Sequence, residues 1–306
     1  MDREEAALLM SLGSANTAVV TLRCGEIEAQ LLPSLGARIG GLRRHCADAA
    51  PFDYLVPVEP RGFALQRWQR AGCFPMLPFT NRFARNTLAW RDAALELAAP
   101  DTSAFLHGWG LRSAWQVESA SATRCTMTHA FDATSAWPWR YRAHLTFDLH
   151  ADGIALTLTV LNESCEPMPL GVGFHPYFAL NGTVSATTRA TARWHADETS
   201  DGLPRHRESL AGELHVELKP DALPSETFTW FCETEAPARA VIDYPDTGRQ
   251  ITLTSSQADH VVVHHRAGER FLCVEPCTHL AGRLDPAHHI ALPNTPATFD
   301  MHLQLR

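Results

Sequence analysis

The chain has 306 residues and a mass of 33.8 kDa, with 45% hydrophobic and 20% charged residues, a composition that excludes global disorder. Its 26 basic against 34 acidic residues give a net charge of −8, which disfavours any ligand held through many phosphates, nucleic acid above all. No apolar run reaches the roughly 18 residues of a membrane span, and the acidic start Met1-Asp2-Arg3-Glu4-Glu5 is unlike a signal peptide, so a soluble cytoplasmic protein without a membrane partner is expected. The eight cysteines lack the density of a disulfide scaffold and are expected to be reduced thiols, mostly buried.

Taken in chain order, the residues around Glu4 to Leu12 are the first of two helix candidates, neither with convincing caps. Strand-like stretches follow at Ala18 to Cys24 and Ile27 to Leu32, then the second helix candidate within Ala64 to Arg70, then strands at Trp115 to Ser119 and Thr123 to Ala130. From Tyr141 to Asn162, Ala143, Leu145, Phe147 and Leu149 alternate with polar residues. The alternation resumes at Ile154, Leu156, Leu158 and Val160 after Asp152-Gly153, and Asp-Gly between two such runs predicts a hairpin. The segment Thr187 to Pro224, rich in charged residues, His and Pro, reads as a long excursion over the surface. Strands are predicted again at Ala238 to Tyr244, Ile251 to Ser255, Val261 to His265, Phe271 to Glu275 and Thr298 to Leu305. Many short strands without intervening helices imply an all-β antiparallel sandwich or barrel. With no repeat or linker in view, residues 1–306 are read as a single domain.

Two positions stand out chemically. His175 in Gly171-Val172-Gly173-Phe174-His175-Pro176-Tyr177-Phe178 and Glu275 in Phe271-Leu272-Cys273-Val274-Glu275-Pro276 each precede a proline, which pushes them into extended geometry at what reads as a strand end. A carboxylate at the end of an apolar strand is expected to be partly desolvated unless it has a partner or a task. In isolation His175 also reads as a core hydrogen-bonding residue and Glu275 as a loop cap. Two further clusters are Leu106-His107-Gly108-Trp109-Gly110 and Phe79-Thr80-Asn81-Arg82-Phe83. The second follows Phe74-Pro75-Met76-Leu77-Pro78, a stretch expected to be too irregular for a regular element. Together these residues supply an aromatic face, fork-like donors, an imidazole acid and a carboxylate base, as a sugar site requires.

The four motifs, in this order over some 200 residues, resemble the aldose 1-epimerases, or galactose mutarotase-like proteins, in particular a shorter bacterial branch. Asn81-Arg82 matches the family's Asn-Arg motif, His107-Gly108 its His-Gly motif, His175 to Phe178 its His-Pro-Tyr-Phe motif, and Glu275 its strand-end glutamate. The resemblance implies a large twisted antiparallel β-sandwich, the galactose mutarotase-like supersandwich, with few short helices. It implies interconversion of the α and β anomers of a monosaccharide without a cofactor. Glu275 is then the general base on the anomeric hydroxyl and His175 the general acid on the ring oxygen, with Arg82, His107, Asn81 and Trp109 holding substrate. Ordinary values of about 4.3 for glutamate and 6.5 for histidine would let a carboxylate coexist with a partly protonated imidazole near neutrality. The family's substrate-binding aspartate has no clean counterpart, Glu226 in Ser225-Glu226-Thr227-Phe228 being the nearest, and Phe83 replaces a common aliphatic residue.

Metal is not expected, because His264-His265 and His288-His289 point to opposite faces of a strand and no C-x₂-C or His-Glu-x-x-His spacing occurs. Gly171-Val172-Gly173 lacks the third glycine and helix start of a nucleotide loop, and a glycosidase needs two catalytic carboxylates where only Glu275 has a suitable setting. A hexose-6-phosphate 1-epimerase, with Arg38, Arg43, Arg44 or Arg70 on the phosphate, and a non-catalytic sugar-binding protein remain as alternatives. A monomer or a homodimer is expected.

Overall fold

The computed structural model describes residues 10–13, 17–60, 63, 69–97 and 105–306. The Asp-Gly hairpin forms as predicted: Tyr141–His150 and Gly153–Asn162 pair without a slip from Tyr141↔Asn162 to His150↔Gly153. Ala143, Leu145, Phe147, Leu149, Ile154, Leu156, Leu158 and Val160 are all buried, so the period-2 pattern decides which face meets the core.

Antiparallel pairing extends this hairpin into one long ladder. Its neighbours run Met10–Gly13, Thr17–Cys24, Ile27–Leu32, Arg38–Cys46, Cys73–Met76, Gly173–Ala179, Phe271–Cys277, His260–His265, Phe228–Glu233, Val184–Ala196, Ala238–Tyr244, Arg249–Ser255, Pro296–Leu305, Gly153–Asn162, Tyr141–His150, Arg124–Phe131 and Gln116–Ala120. The last strands fold back over the first, with Tyr141–His150 and Arg124–Phe131 against Thr17–Cys24, and Arg23 donates its backbone N–H to Ala122 O at 2.7 Å. The result is a large antiparallel β-sandwich whose main core includes Leu22, Leu31, Ile39, Leu145, Phe147, Leu158, Phe174, Leu253 and Phe299. Among the described residues helix is confined to three single 3₁₀ turns, Pro33–Leu35, Ala84–Asn86 and Gly110–Arg112. Among the described residues no helix is long and apolar enough to cross a membrane.

Several expectations are corrected. Residues 10–12 of the first helix candidate belong to the strand Met10–Gly13, paired from Met10↔Val20 to Gly13↔Thr17; the rest of that candidate lies outside the described residues. An uncapped turn of helix loses there to a sheet edge that satisfies the backbone. In the second candidate, residues 64–68 lie outside the described residues, and Gln69 and Arg70 have no regular structure.

The charged stretch after Thr187 is a hairpin of two long strands, Val184–Ala196 and Pro204–Leu218, paired from Val184↔Leu218 to Ala196↔Pro204. Most of Pro204–Leu218 is exposed, so its pattern carries no apolar face; cross-strand ion pairs such as Arg193–Glu208 at 3.1 Å stand in for it.

The Pro-rich stretch also contains a strand, Cys73–Met76, with Pro75 opposite Phe174. Proline is tolerated because pairing to Arg38–Cys46 stops at Ile39↔Cys73, so no ladder on that side needs a donor from Pro75.

Hairpin faces give a stability test. Leu158→Ala, on the buried face, is expected to cost roughly 2–5 kcal/mol in urea unfolding, and Thr157→Ala, on the half-exposed face, less than about 1 kcal/mol.

Candidate functional site

Strand register builds the site. Pairs Gly173↔Cys277 and Tyr177↔Cys273 set His175 opposite Glu275, and on its other side His175 faces Phe74. The same row continues through Val262, Phe231 and Trp194. Side chains along one row of a sheet share a face, so Phe74, His175, Glu275, Val262, Phe231 and Trp194 line one surface. Around them gathers a second apolar cluster with Tyr177, Phe271, Leu203, Leu280 and Ala281.

Both prolines lie inside their strands, Gly173–Ala179 and Phe271–Cys277, so His175 and Glu275 sit mid-strand and not at strand ends as predicted. The geometry that proline imposes on the preceding residue is already that of a strand, so neither chain turns away.

His175 Nε2 stands 3.5 Å from Glu275 Oε1, and the two residues are only 4% and 3% exposed. The His175 ring stacks on Tyr177 at 4.5 Å and 8°, with the Tyr177 hydroxyl 3.4 Å from Nε2. Phe74 packs at 4.9 Å on another side, and the His107 ring lies edge-on at 5.1 Å. Under Phe74 the buried Arg38 guanidinium sits 4.4 Å from the ring centroid and donates to Ala71 O at 2.7 Å and Gln69 O at 3.1 Å. Burial lowers the pKa of Arg38 to about 10, so it stays charged at neutrality.

His107 is placed by its backbone. It has φ 61° and donates its N–H to Asn81 O at 2.7 Å, while Asn81 N–H donates to His107 Nδ1 at 3.0 Å. With Nδ1 accepting, the neutral ring carries its proton on Nε2. Gly108 follows at φ 68°, where an added Cβ would meet Leu77 O at 2.1 Å; only glycine fits that approach. One residue before Asn81, the Thr80 N–H donates to the buried His279 at 2.9 Å, and His279 Nδ1 donates to Leu280 O at 2.9 Å.

Burial dominates the electrostatics. It pushes the Glu275 carboxyl up to about 8. His175 is held well below the ordinary histidine value, by burial first and then by the charges of His107, His264 and Arg38. Burial likewise lowers His107, reinforced by Arg112. The expected carboxylate beside a partly protonated imidazole is therefore not the resting state at neutrality. The pair holds one proton on Glu275 beside a neutral imidazole, because a dry site disfavours separated charges.

The remaining predicted residues lie off the strand row that holds His175 and Glu275. Arg82 contacts Asp201 at the tip of the charged hairpin, through the backbone oxygen and through the carboxylate at 3.7 Å. Asn81 has φ 53° and accepts the Arg82 N–H on its side-chain oxygen at 3.1 Å. Trp109 packs into an aromatic group with Phe105 at 4.9 Å, Phe131 at 5.1 Å and Trp137 at 5.6 Å, against the main core and apart from the His175 row. Phe83 packs on Phe79 at 5.0 Å in the same core. Glu226 is exposed in a bend before the strand Phe228–Glu233, and nothing ties it to Glu275. Sequence reading missed Phe74, Asp201 and His279, weighed Arg38 only for a phosphate, and gave Tyr177 only as part of the His-Pro-Tyr-Phe motif. Tyr177 carried a signal, since it shares the alternation that places His175.

The arginines considered for a phosphate are all engaged: Arg38 as above, Arg43 with Asp53 at 3.1 Å, Arg44 with Glu26 at 3.1 Å, and Arg70 with Glu269 at 3.9 Å.

The sequence profile of the aldose 1-epimerase family matches residues 19–295. The uncharacterized protein YphB of Escherichia coli K12 is 28% identical over 279 residues, which cover 85% of this chain and 88% of that one. Similar solved structures include the GalM/aldose epimerase homologue of C. elegans (TM-score 0.79, 14% identity, 95% of this chain and 99% of that one). A galactose mutarotase-like protein of Clostridium acetobutylicum is also similar (TM-score 0.78, 17% identity, 97% of each chain).

The buried pair predicts a pH dependence of stability. Between the ordinary carboxylate value and about 8, folded Glu275 holds a proton that the unfolded chain has released, so stability falls as pH rises through that window. His175 acts in the opposite sense below the ordinary value of 6.5, where only the unfolded chain binds the proton; its contribution is level above that pH. Above pH 6.5 the Glu275 effect stands alone. Glu275→Gln removes it, and denaturant unfolding is expected to show the variant gaining on wild type by roughly 1 kcal/mol per pH unit from 6.5 to 8.

Proposed function

We propose, from the premise that the chain belongs to the aldose 1-epimerase family, that it interconverts the α and β anomers of a free monosaccharide by opening and reclosing the sugar ring. The buried His175–Glu275 pair, 3.5 Å apart on one face of the sheet, carries this reading, with residues 1–306 acting as one catalytic unit.

Proton count fits the chemistry. The resting pair holds one proton, and moving it from Glu275 to His175 gives a carboxylate and an imidazolium with no change in net charge. The sugar's hydroxyls supply the polar contacts that this charge-separated form lacks in the empty site. Glu275 then takes the proton of the anomeric hydroxyl while His175 protonates the ring oxygen. The bond from C1 to the ring oxygen breaks and C1 becomes an aldehyde carbon. Rotation about C1–C2 presents the other face, and the reverse transfers reclose the ring. The pair ends with the proton count it began with, so no co-reactant is consumed.

Its neighbours have supporting roles. His107, its ring edge-on to His175, would hold a sugar oxygen there, a role supported by its position beside the pair. Arg82, steadied by Asp201, would offer a guanidinium fork to the sugar hydroxyls. Since Arg38, Arg43, Arg44 and Arg70 are all engaged, the site favours a neutral sugar over a phosphorylated one.

Anomeric exchange measured by NMR at equilibrium, on a panel of free aldoses and hexose 6-phosphates, tests the proposal. Wild type is expected to accelerate exchange of a free aldose, and Glu275→Gln and His175→Ala to lose at least about a hundredfold in rate, with sugar binding retained in Glu275→Gln. Undiminished exchange by Glu275→Gln would remove that residue from the mechanism. Binding without exchange by wild type would make the chain a sugar-binding protein on this fold.

A further inference from the structure

Motif spacing along the chain offers no metal site, yet two neighbouring strands assemble a set of ligands that spacing does not reveal. Cys273 and Glu275 alternate on the strand Phe271–Cys277 and so share a face, the face that His175 reaches from Gly173–Ala179. One ligand atom from each of His175, Cys273 and Glu275 lies within 4.8 Å of the other two, and all three residues are buried. We propose that these residues form a binding site for a thiophilic divalent cation, with zinc the best fit, and that cation and sugar exclude each other.

Donor geometry is close to what zinc takes. Bonds of about 2.0–2.3 Å hold tetrahedral ligands about 3.4–3.7 Å apart. His175 and Glu275 already stand 3.5 Å apart, so the Cys273 sulfur closes the set with a shift of about 1 Å, within reach of a side-chain rotation. Binding releases the protons of the Cys273 thiol and of the Glu275 carboxyl to solvent. Thiolate and carboxylate then balance the dication, so the loaded site is neutral overall, the condition that suits a dry pocket.

One nitrogen, one sulfur and one oxygen select against magnesium and calcium, which take oxygen donors. Water completes the tetrahedron. Cys277, on the same face, is turned toward Glu275 O at 3.5 Å and stays outside the trio. The paired histidines are used elsewhere: His264 meets Thr229 at 2.9 Å, His265 meets Phe271 O at 3.0 Å, and His289 meets Thr278 O at 2.8 Å.

A cation held this way takes both groups that carry protons in ring opening. Inhibition therefore rests on the mutarotase reading, whereas the site itself does not.

The test uses the full chain without a histidine tag, treated with chelator and dialysed. Calorimetric titration with zinc chloride is expected to give one zinc per chain for wild type and for a control at the exposed thiol, Cys165→Ser. Cys273→Ser is expected to bind at least about tenfold more weakly. Cobalt(II) added to wild type should show a near-ultraviolet thiolate-to-cobalt band that is absent in Cys273→Ser. Should Cys273→Ser fail to fold, Glu275→Gln takes its place in the calorimetry, and the cobalt band of wild type needs no variant.

Saturating zinc is expected to slow anomeric exchange at least about tenfold, with recovery on adding chelator. Absence of stoichiometric zinc in wild type, or zinc bound with no thiolate band, overturns the site. Undiminished exchange in the zinc-loaded enzyme overturns the exclusion of sugar. If wild type exchanges no sugar at all, the mutarotase reading fails with its inhibition arm, while calorimetry and cobalt still decide the site.

Discussion

Antiparallel pairing between Gly173–Ala179 and Phe271–Cys277 is the constraint on which the site depends. In a sheet, register fixes both neighbour and face, and a slip of one residue sends every side chain to the other side. Here such a slip would turn either His175 or Glu275 into the main core, where Phe174 and Val274 now lie. The long ladder around these strands serves to hold that register. Its hairpins pin the outer strands, and the central ones inherit their alignment from neighbours on both sides.

Burial gives this pairing its chemical character. A glutamic acid and an imidazole in contact with water would sit near their ordinary values, with the carboxyl ionised. In the dry row between Phe74 and Val262 the charged forms lose solvation, and the proton settles on Glu275. Arg38 adds to this. Its charge lies on the far side of Phe74, close enough to depress His175, while one of its terminal nitrogens donates to both Ala71 O and Gln69 O. The empty site is thus a pair of neutral partners one proton transfer away from an acid and a base.

Legibility in the sequence followed physical range. Local alternation exposed the hairpin at Asp152-Gly153 and most core strands, because burial on one face writes itself into every second residue. Proline after His175 and Glu275 marked both residues as extended before any pairing was known. The exposed strand Pro204–Leu218 left no such trace because it has no apolar period, and in Val184–Ala196 the buried face is written largely in small or polar residues, Ala186, Thr188, Ala190 and Ala192. Trp109 was drawn toward the site by its place beside His107-Gly108 and Glu226 by its place before the final strands, and position along the chain does not say which surface a side chain meets. Resting protonation was illegible for a related reason: it depends on the walls around the pair, which come from strands distant in the chain.

His107 shows how the distant parts are made to converge. Its ring reaches His175 only because the chain at His107 and Gly108 adopts positive φ, with Gly108 pressed against Leu77 O. The Asn81 backbone then clasps His107 from both sides, and Thr80, one residue earlier, is held by His279. His279 follows the Glu275 strand closely, so the loop carrying His107 is anchored to the strand carrying the carboxyl. A change at His279 therefore acts on the far wall of the site through Thr80 and Asn81 without touching the pair itself. The glycines and polar anchors of this loop extend a relation that sheet register establishes for only two of the three residues.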